Sequence, residues 1–168
     1  MSRDDQDTMI CYTDGSALRN GKRDCQCSSA TVWPNGEFPD TAFYLPPGDT
    51  RSNNRAEYHA IICACDQANE HDPSKAKTLC IFPDSMLLVN TCTTWMHSWK
   101  KKGWKKSSPG EIKNLDMVKK LYDCCRERKI VFTHVKADTG GDDFDSLWNK
   151  RADKCAYGAV KNDTGAPC

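Results

Sequence analysis

Three short strand-like runs crowd into the first 46 residues, and helical and strand-like runs alternate after them; this order constrains the fold more than any other feature. The runs are "TMICYTDG", which reads as a strand ending at Asp14, then "SSATVWP" and "TAFYLP", with "NGEFPD" as turn material between the last two. Together they predict a meander. "SNNRAEYHAIICACDQANEH" begins with a capping serine and carries Ala56, Ala60 and Cys63 at helical spacing, so it predicts a helix with a buried face. "TLCIFPDS" predicts a fourth strand, "SMLLVNTCTTWMHSW" one packed helix, "SPGEIKNLDMVKKLYDCCRER" a capped amphipathic helix, "KIVFTHVKA" a fifth strand and "SLWNKRADKCAYGAV" a terminal helix. Strands first and alternation afterwards imply an α/β fold, a mixed sheet with helices on its faces.

A length of 168 residues suits one domain. We expect it over residues 9–160, with loose tails at 1–8 and 161–168. The net charge of +1 gives no overall basic field, so any attraction to nucleic acid must be local. There is no long apolar run, and the acidic opening "MSRDDQDTMI" is unlike a leader peptide, so an intracellular protein without a membrane segment is expected. Eleven cysteines are many for this length. Several lie within apolar runs, and their spacings (Cys25-x-Cys27, Cys63-x-Cys65, Cys124-Cys125) are not the Cys-x-x-Cys of zinc sites. They read as small buried hydrophobes, with metal or redox roles as the alternative.

Carboxylates recur where elements end or begin. Asp14 closes the first predicted strand beside Gly15, Asp84 closes the fourth, Glu57 lies near the start of its helix and Asp153 lies on the last one. If the first and fourth strands are neighbours, four acids converge. Such a set repels itself and takes up protons unless cations neutralise it, and hard divalent ions with oxygen ligands do so. A cluster without histidine or thiolate points to Mg²⁺ and phosphoryl chemistry, whereas any one of these acids alone would read as a cap or surface charge.

"YTDGS", "NNRAE", "PDSM" and "NKRADKCA", in that order and at these separations, resemble the four motif blocks of the ribonuclease H type 1 family from about Cys11 to Val160. The resemblance implies a ribonuclease H-like fold: a five-stranded mixed β-sheet in the order 3-2-1-4-5, flanked by α-helices. It implies hydrolysis of the RNA strand of an RNA/DNA hybrid, leaving 5′-phosphate and 3′-hydroxyl ends, by a monomer using two Mg²⁺ ions for which Mn²⁺ can substitute. By the same resemblance Asp14 would bridge both metals, Glu57 and Asp84 would complete the one supporting the leaving oxygen, and Asp153 would hold the one activating water. Asp142, Asp143 and Asp145 are read as loop-solvating residues.

"WMHSWKKKGWKKS" packs three tryptophans and five lysines into thirteen residues. Rings and cations interleaved in this way suit a nucleic-acid groove, although alone they would equally describe a helix with core tryptophans and a solvated face. The segment resembles the family's basic protrusion, which places Trp95 and Trp99 along the DNA strand. Ser52, Ser107 and Asn114 fall at the family's DNA phosphate pocket, whose arginine aligns with Thr50, one position before Arg51. Ser16, Asn20, Asn53, Asn54 and Met86 fall where the family touches the minor groove, in which 2′-hydroxyls mark RNA.

Two positions depart from the family pattern. Asp138 stands where a mobile histidine is usual, and Pro83 stands where threonine usually precedes the aspartate. A carboxylate at 138 cannot supply an imidazolium's charge, so slowed turnover is expected. A hybrid-binding module that has lost its chemistry is the alternative, and a zinc-binding cysteine-rich protein is a third reading.

Overall fold

A computed structural model describes residues 7–46, 49–137 and 140–162. Five strands form one sheet: β1 (Thr8–Leu18), β2 (Gln26–Val32), β3 (Thr41–Tyr44), β4 (Thr78–Pro83) and β5 (Ile130–Phe132), in the order β3-β2-β1-β4-β5. The meander pairs antiparallel, β1 to β2 and β2 to β3, while β4 and β5 join in parallel beyond β1. Five α-helices accompany it: α1 (Asn53–His71), α2 (Met86–Asn90), α3 (Met96–Lys101), α4 (Leu115–Glu127) and α5 (Phe144–Val160).

Alternation along β1 divides the core between the two faces of the sheet. Met9 and Cys11 join Ile61, Ala64, Leu79, Ile81, Leu88, Val118 and Leu121 on the side of α1 and α4. Tyr12 belongs to the second cluster, with Val32, Val135 and Ala152, where Ile10, Phe82 and Trp148 pack beside it under α5. Tyr12 stacks on Phe82 at 4.8 Å between centroids, and its hydroxyl donates to Asp145. Ser52 caps α1 by accepting from Arg55 N at 3.1 Å, as the sequence predicts. No helix among the described residues is long and apolar enough to cross a membrane.

The ten described cysteines stand outside disulfides, and six of them are buried. Cys11, Cys25, Cys27, Cys65 and Cys92 are core residues, so the small-hydrophobe reading holds for them. Burial pushes the Cys92 thiol above its ordinary range and the Cys63 and Cys125 thiols up to about 12.

Several boundaries differ from expectation. β1 does not end at Asp14; it runs four residues further because Asp14–Leu18 pair with Gln26–Ala30 of β2. Pairing with β4 does stop at Thr13↔Pro83, so Asp14 lies at the end of the parallel pair though within its own strand. The single helix expected after β4 is broken by a π-helical turn at Thr91–Trp95 between α2 and α3. α4 starts at Leu115, because Asn114 adopts a left-handed φ of 57° and the preceding residues are not helical. β5 is only three residues long, yet Thr133 N donates to Ile81 O and Val135 N to Pro83 O, each at 3.0 Å, keeping the chain beside β4 as far as Val135. Asp143 is not a loop-solvating residue but the N-cap of α5, accepting from Ser146 N, and Asp145 lies in the first turn holding Tyr12.

One glycine sets how closely α1 approaches the sheet. A Cβ on Gly15 would lie 2.4 Å from Glu57 N and 2.5 Å from Ala56 C, both backbone atoms that cannot rotate away. Gly15→Ala must therefore push α1 off β1. We expect a loss of about 3 kcal/mol, read in thermal melts as a Tm lower by roughly 6–12 °C. An unchanged Tm would show that the strand yields instead.

Candidate active site

Asp14, buried on β1, and Glu57, buried in the second turn of α1, face each other because Gly15 lets the helix press on the strand. Asp84 follows the last residue of β4, the strand paired alongside β1. One carboxylate oxygen from each of Asp14, Glu57 and Asp84 lies within 4.8 Å of the others, the only such group among the described residues that can hold a metal. Asp153, exposed on α5, is not in that group, but its carboxyl lies near enough to add to the upward shift of Asp14.

The electrostatics match this crowding. Burial, followed by the charges of Glu57 and Asp84, drives the Asp14 carboxyl well above the usual carboxylate range. Burial and Asp84 push Glu57 up to about 8, opposed by hydrogen bonds from Asp14 and the Gly15 backbone. Gly15 N also donates to Asp14 Oδ1 at 3.0 Å. A set of buried oxygens that resist losing their protons fits a hard divalent cation, which replaces protons with a charge better suited to several oxygens.

The expected nucleic-acid contacts lie on two stretches around this cluster. Asn20 Oδ1 accepts from Asn53 N at 2.9 Å, tying the end of β1 to the start of α1, where Asn54 is exposed. Ser16 is partly buried on β1. Met86, 52% exposed, opens α2 directly after Asp84 and Ser85. Ser52 and Asn114 are brought together by Arg55, whose backbone N donates to Ser52 Oγ and whose Nη1 donates to Asn114 Oδ1 at 3.2 Å. Arg55 is itself held by Asp49 at 2.7 Å and Asp116 at 2.5 Å. Ser107 is exposed on the segment joining α3 to α4.

Trp95 and Trp99 lie 6.3 Å apart across the π turn, with Trp95 40% exposed. Trp104 instead packs edge-on against Tyr122 with Lys119 over its ring, so the third tryptophan of the basic segment serves the fold. Asp138 lies outside the described residues.

Sequence reasoning missed two features beside the cluster. His134 Nε2 donates to the carbonyl of Asp84 at 3.2 Å, a partner that accepts only, so this nitrogen carries a proton and helps fix the position of Asp84. Lys150 and Lys154, four residues apart around Asp153, line a cavity on its outer side with Lys136. Their helical spacing was visible in "NKRADK".

The RNase H family model matches residues 6–161, nearly the whole chain. The chain belongs to the RNase H family. Ribonuclease H1 of Homo sapiens is 32% identical over 155 residues, covering 92% of this chain and 51% of that protein. Ribonuclease H of Schizosaccharomyces pombe is 32% identical over 149 residues, 87% of this chain and 53% of the relative. This chain thus spans about half the length of these RNase H relatives. Among solved structures, LC11-RNase H1 in complex with an RNA/DNA hybrid has the same fold, with a TM-score of 0.60 at 21% identity, over 92% of this chain and 97% of that one.

Proposed function

We propose that this RNase H-family chain is a metal-dependent endonuclease that hydrolyses the RNA strand of RNA/DNA hybrids. The observation that carries the reading is the meeting of Asp14, Glu57 and Asp84 within 4.8 Å, on the fold of a protein solved with an RNA/DNA hybrid. Two Mg²⁺ ions, with Mn²⁺ as a substitute, would supply Lewis acidity to the scissile phosphate and to the attacking water. Asp14, Glu57, Asp84 and Asp153 would hold them, and Asp14, at the centre of the set, would be shared between the two.

The chain's own residues do the rest. Gly15 keeps Glu57 close to Asp14, and His134 restrains Asp84 through its carbonyl. Ser16, Asn20, Asn53, Asn54 and Met86 would meet the minor groove, where 2′-hydroxyls select RNA. Ser52, Ser107 and Asn114 would hold a DNA phosphate, with Trp95 and Trp99 along the DNA strand. Residues 9–160 would form the catalytic domain together with Thr8, which pairs with Thr78 as the first residue of β1 and so leaves the tail expected at 1–8; 161–168 would be the other tail. The burial of six cysteines as small core residues supports a reducing, intracellular setting, where the chain would work as a monomer.

Cleavage of a labelled RNA strand, alone and in a hybrid, with Mg²⁺ or Mn²⁺, tests the activity. Metal-dependent cutting confined to the hybrid is expected. Asp138 motivates the second reading, a hybrid-binding module without turnover, and Asp138→His separates the two. The histidine should raise kcat by about tenfold or more, with KM little changed. Equal rates in the two proteins would remove position 138 from the chemistry, and hybrid binding without cleavage by either would establish the binding module.

A further inference from the structure

A cavity of about 340 Å³ lies on the outer side of Asp153, between α5 and the chain that follows β5. Three lysines line it: Lys136 from the segment after β5, and Lys150 and Lys154 from successive turns of α5. Among the described residues, the only carboxylate on its wall is Asp153. Three lysines lining one hollow favour an anion there. A second observation is independent of charge. Asn149 also lines the cavity, is only 4% exposed, and has an Oδ1 that meets no donor among the described residues. A buried amide oxygen without a partner is costly in a folded protein and is satisfied when a hydroxyl donor binds.

We propose that this cavity is a subsite for the strand being cleaved, in which Lys136, Lys150 and Lys154 take the phosphate next to the scissile one and Asn149 accepts from a ribose hydroxyl. The assignment rests on the hybrid-cleaving reading, because Asp153 belongs both to the cavity wall and to the carboxylate set. A strand whose scissile phosphate lies at the acids therefore runs on into the lysines. Ammonium groups hold phosphate oxygens by charge and hydrogen bonding, and a hydroxyl on the same unit distinguishes ribose from deoxyribose.

The test uses the full chain, its Lys136→Gln/Lys150→Gln/Lys154→Gln variant and the matching triple Lys→Arg variant. Isotope-labelled protein is titrated with inorganic phosphate, and hybrid binding is measured against salt concentration in an Asp14→Asn background. Phosphate should shift the Gly140 and Gly141 amides and the Asn149 side-chain amide in the parent and in the arginine variant, but not in the glutamine variant. Hybrid affinity should fall by about tenfold with glutamine, and the slope of log K against log salt should drop by about one to two. Absent phosphate shifts, or shifts that survive in the glutamine variant, would overturn the site. Lost shifts with unchanged hybrid affinity and slope would mark a free-anion site and overturn the strand assignment. Failure of the parent to bind or cleave hybrid would instead refute the proposed activity, and the phosphate titration would then show separately whether the cavity takes anions.

Discussion

Replacing Asp14 by asparagine is expected to abolish hybrid cleavage and, in the absence of metal, to make the protein more stable. The loss follows from its central place: Asp14 is the carboxylate that meets Glu57 and Asp84 and is also influenced by Asp153. A metal-stabilised transition state is worth several kcal/mol, and each ~1.4 kcal/mol is tenfold, so a fall of about 10³-fold or more is expected. The gain has the opposite origin. With Glu57 raised to about 8, folding favours the protonated cluster. That contribution is fully present below the unfolded carboxylate value and is lost as pH rises through about 8. Metal-free protein should therefore weaken between roughly pH 5 and 9, and Asn at 14 should recover on the order of 2 kcal/mol at the alkaline end. Added Mg²⁺ should raise the Tm of the parent at pH 8 to 9 and leave the variant nearly unmoved. Thermal melts in chelator across this range decide the matter, and an Asp14→Asn protein no more stable than its parent at pH 9 would refute the electrostatic account.

Arg128→Met should cost more than any other single change outside the acidic cluster. The Arg128 side chain is almost wholly buried and closes the C-terminal end of α1, where carbonyls lack intrahelical partners. It donates to the Asp72 carboxylate at 2.8 Å, to Ala68 O at 3.2 Å and Asp72 O at 2.9 Å, to Asn69 Oδ1 at 3.1 Å and to Lys77 O at 2.9 Å. Methionine fills much of the volume but donates to none of these five acceptors; Ala68 O keeps Asp72 N and the Asp72 carboxylate keeps Lys77 N and Ser74 Oγ, while Asn69 Oδ1 and Lys77 O lose the guanidinium. Breaking a buried pair from one side costs about 3–5 kcal/mol, a fall of roughly 10 °C or more in Tm for a chain of this size. Lys77 N–H and Arg128 hold the Asp72 carboxyl well below the usual carboxylate range. This contribution is present above the unfolded value near pH 4 and fades only as pH falls further. Acid unfolding should accordingly begin at a higher pH in Arg128→Met. A Tm within about 2 °C of the parent would mean that water replaces the guanidinium.

Much of the site could be read from residue types and their order. The Ser52 cap, the run of α1 and the places of Asp14, Glu57, Asp84 and Asp153 on distinct elements are local signals, set by side-chain chemistry within a few residues. Because the chain resembles its family at four separated blocks, the sheet order could be expected as well. Other features follow from pairings between distant segments, to which periodicity is blind. Asp14 is inside its strand because β2 continues to pair beyond it, and Asn114 turns left-handed where the chain enters α4 beside Arg55. Asp143 and Asp145 left the solvent-loop class because α5 begins two residues earlier than its apolar pattern, and because Tyr12 needs a partner for a buried hydroxyl. The sequence by itself placed Asp14, Glu57, Asp84 and Asp153 on or directly after four separate elements, because each lies in a block whose local pattern marks a strand or a helix. Only the tertiary structure decided that three of them meet within 4.8 Å, that Asp153 lies near Asp14, and that three lysines line a cavity with Asn149, whose Oδ1 has no partner among the described residues. Convergence of residues 14, 57, 84 and 153 depends on the β1–β4 pairing and on the close approach of α1 over Gly15, long-range contacts that no local pattern encodes.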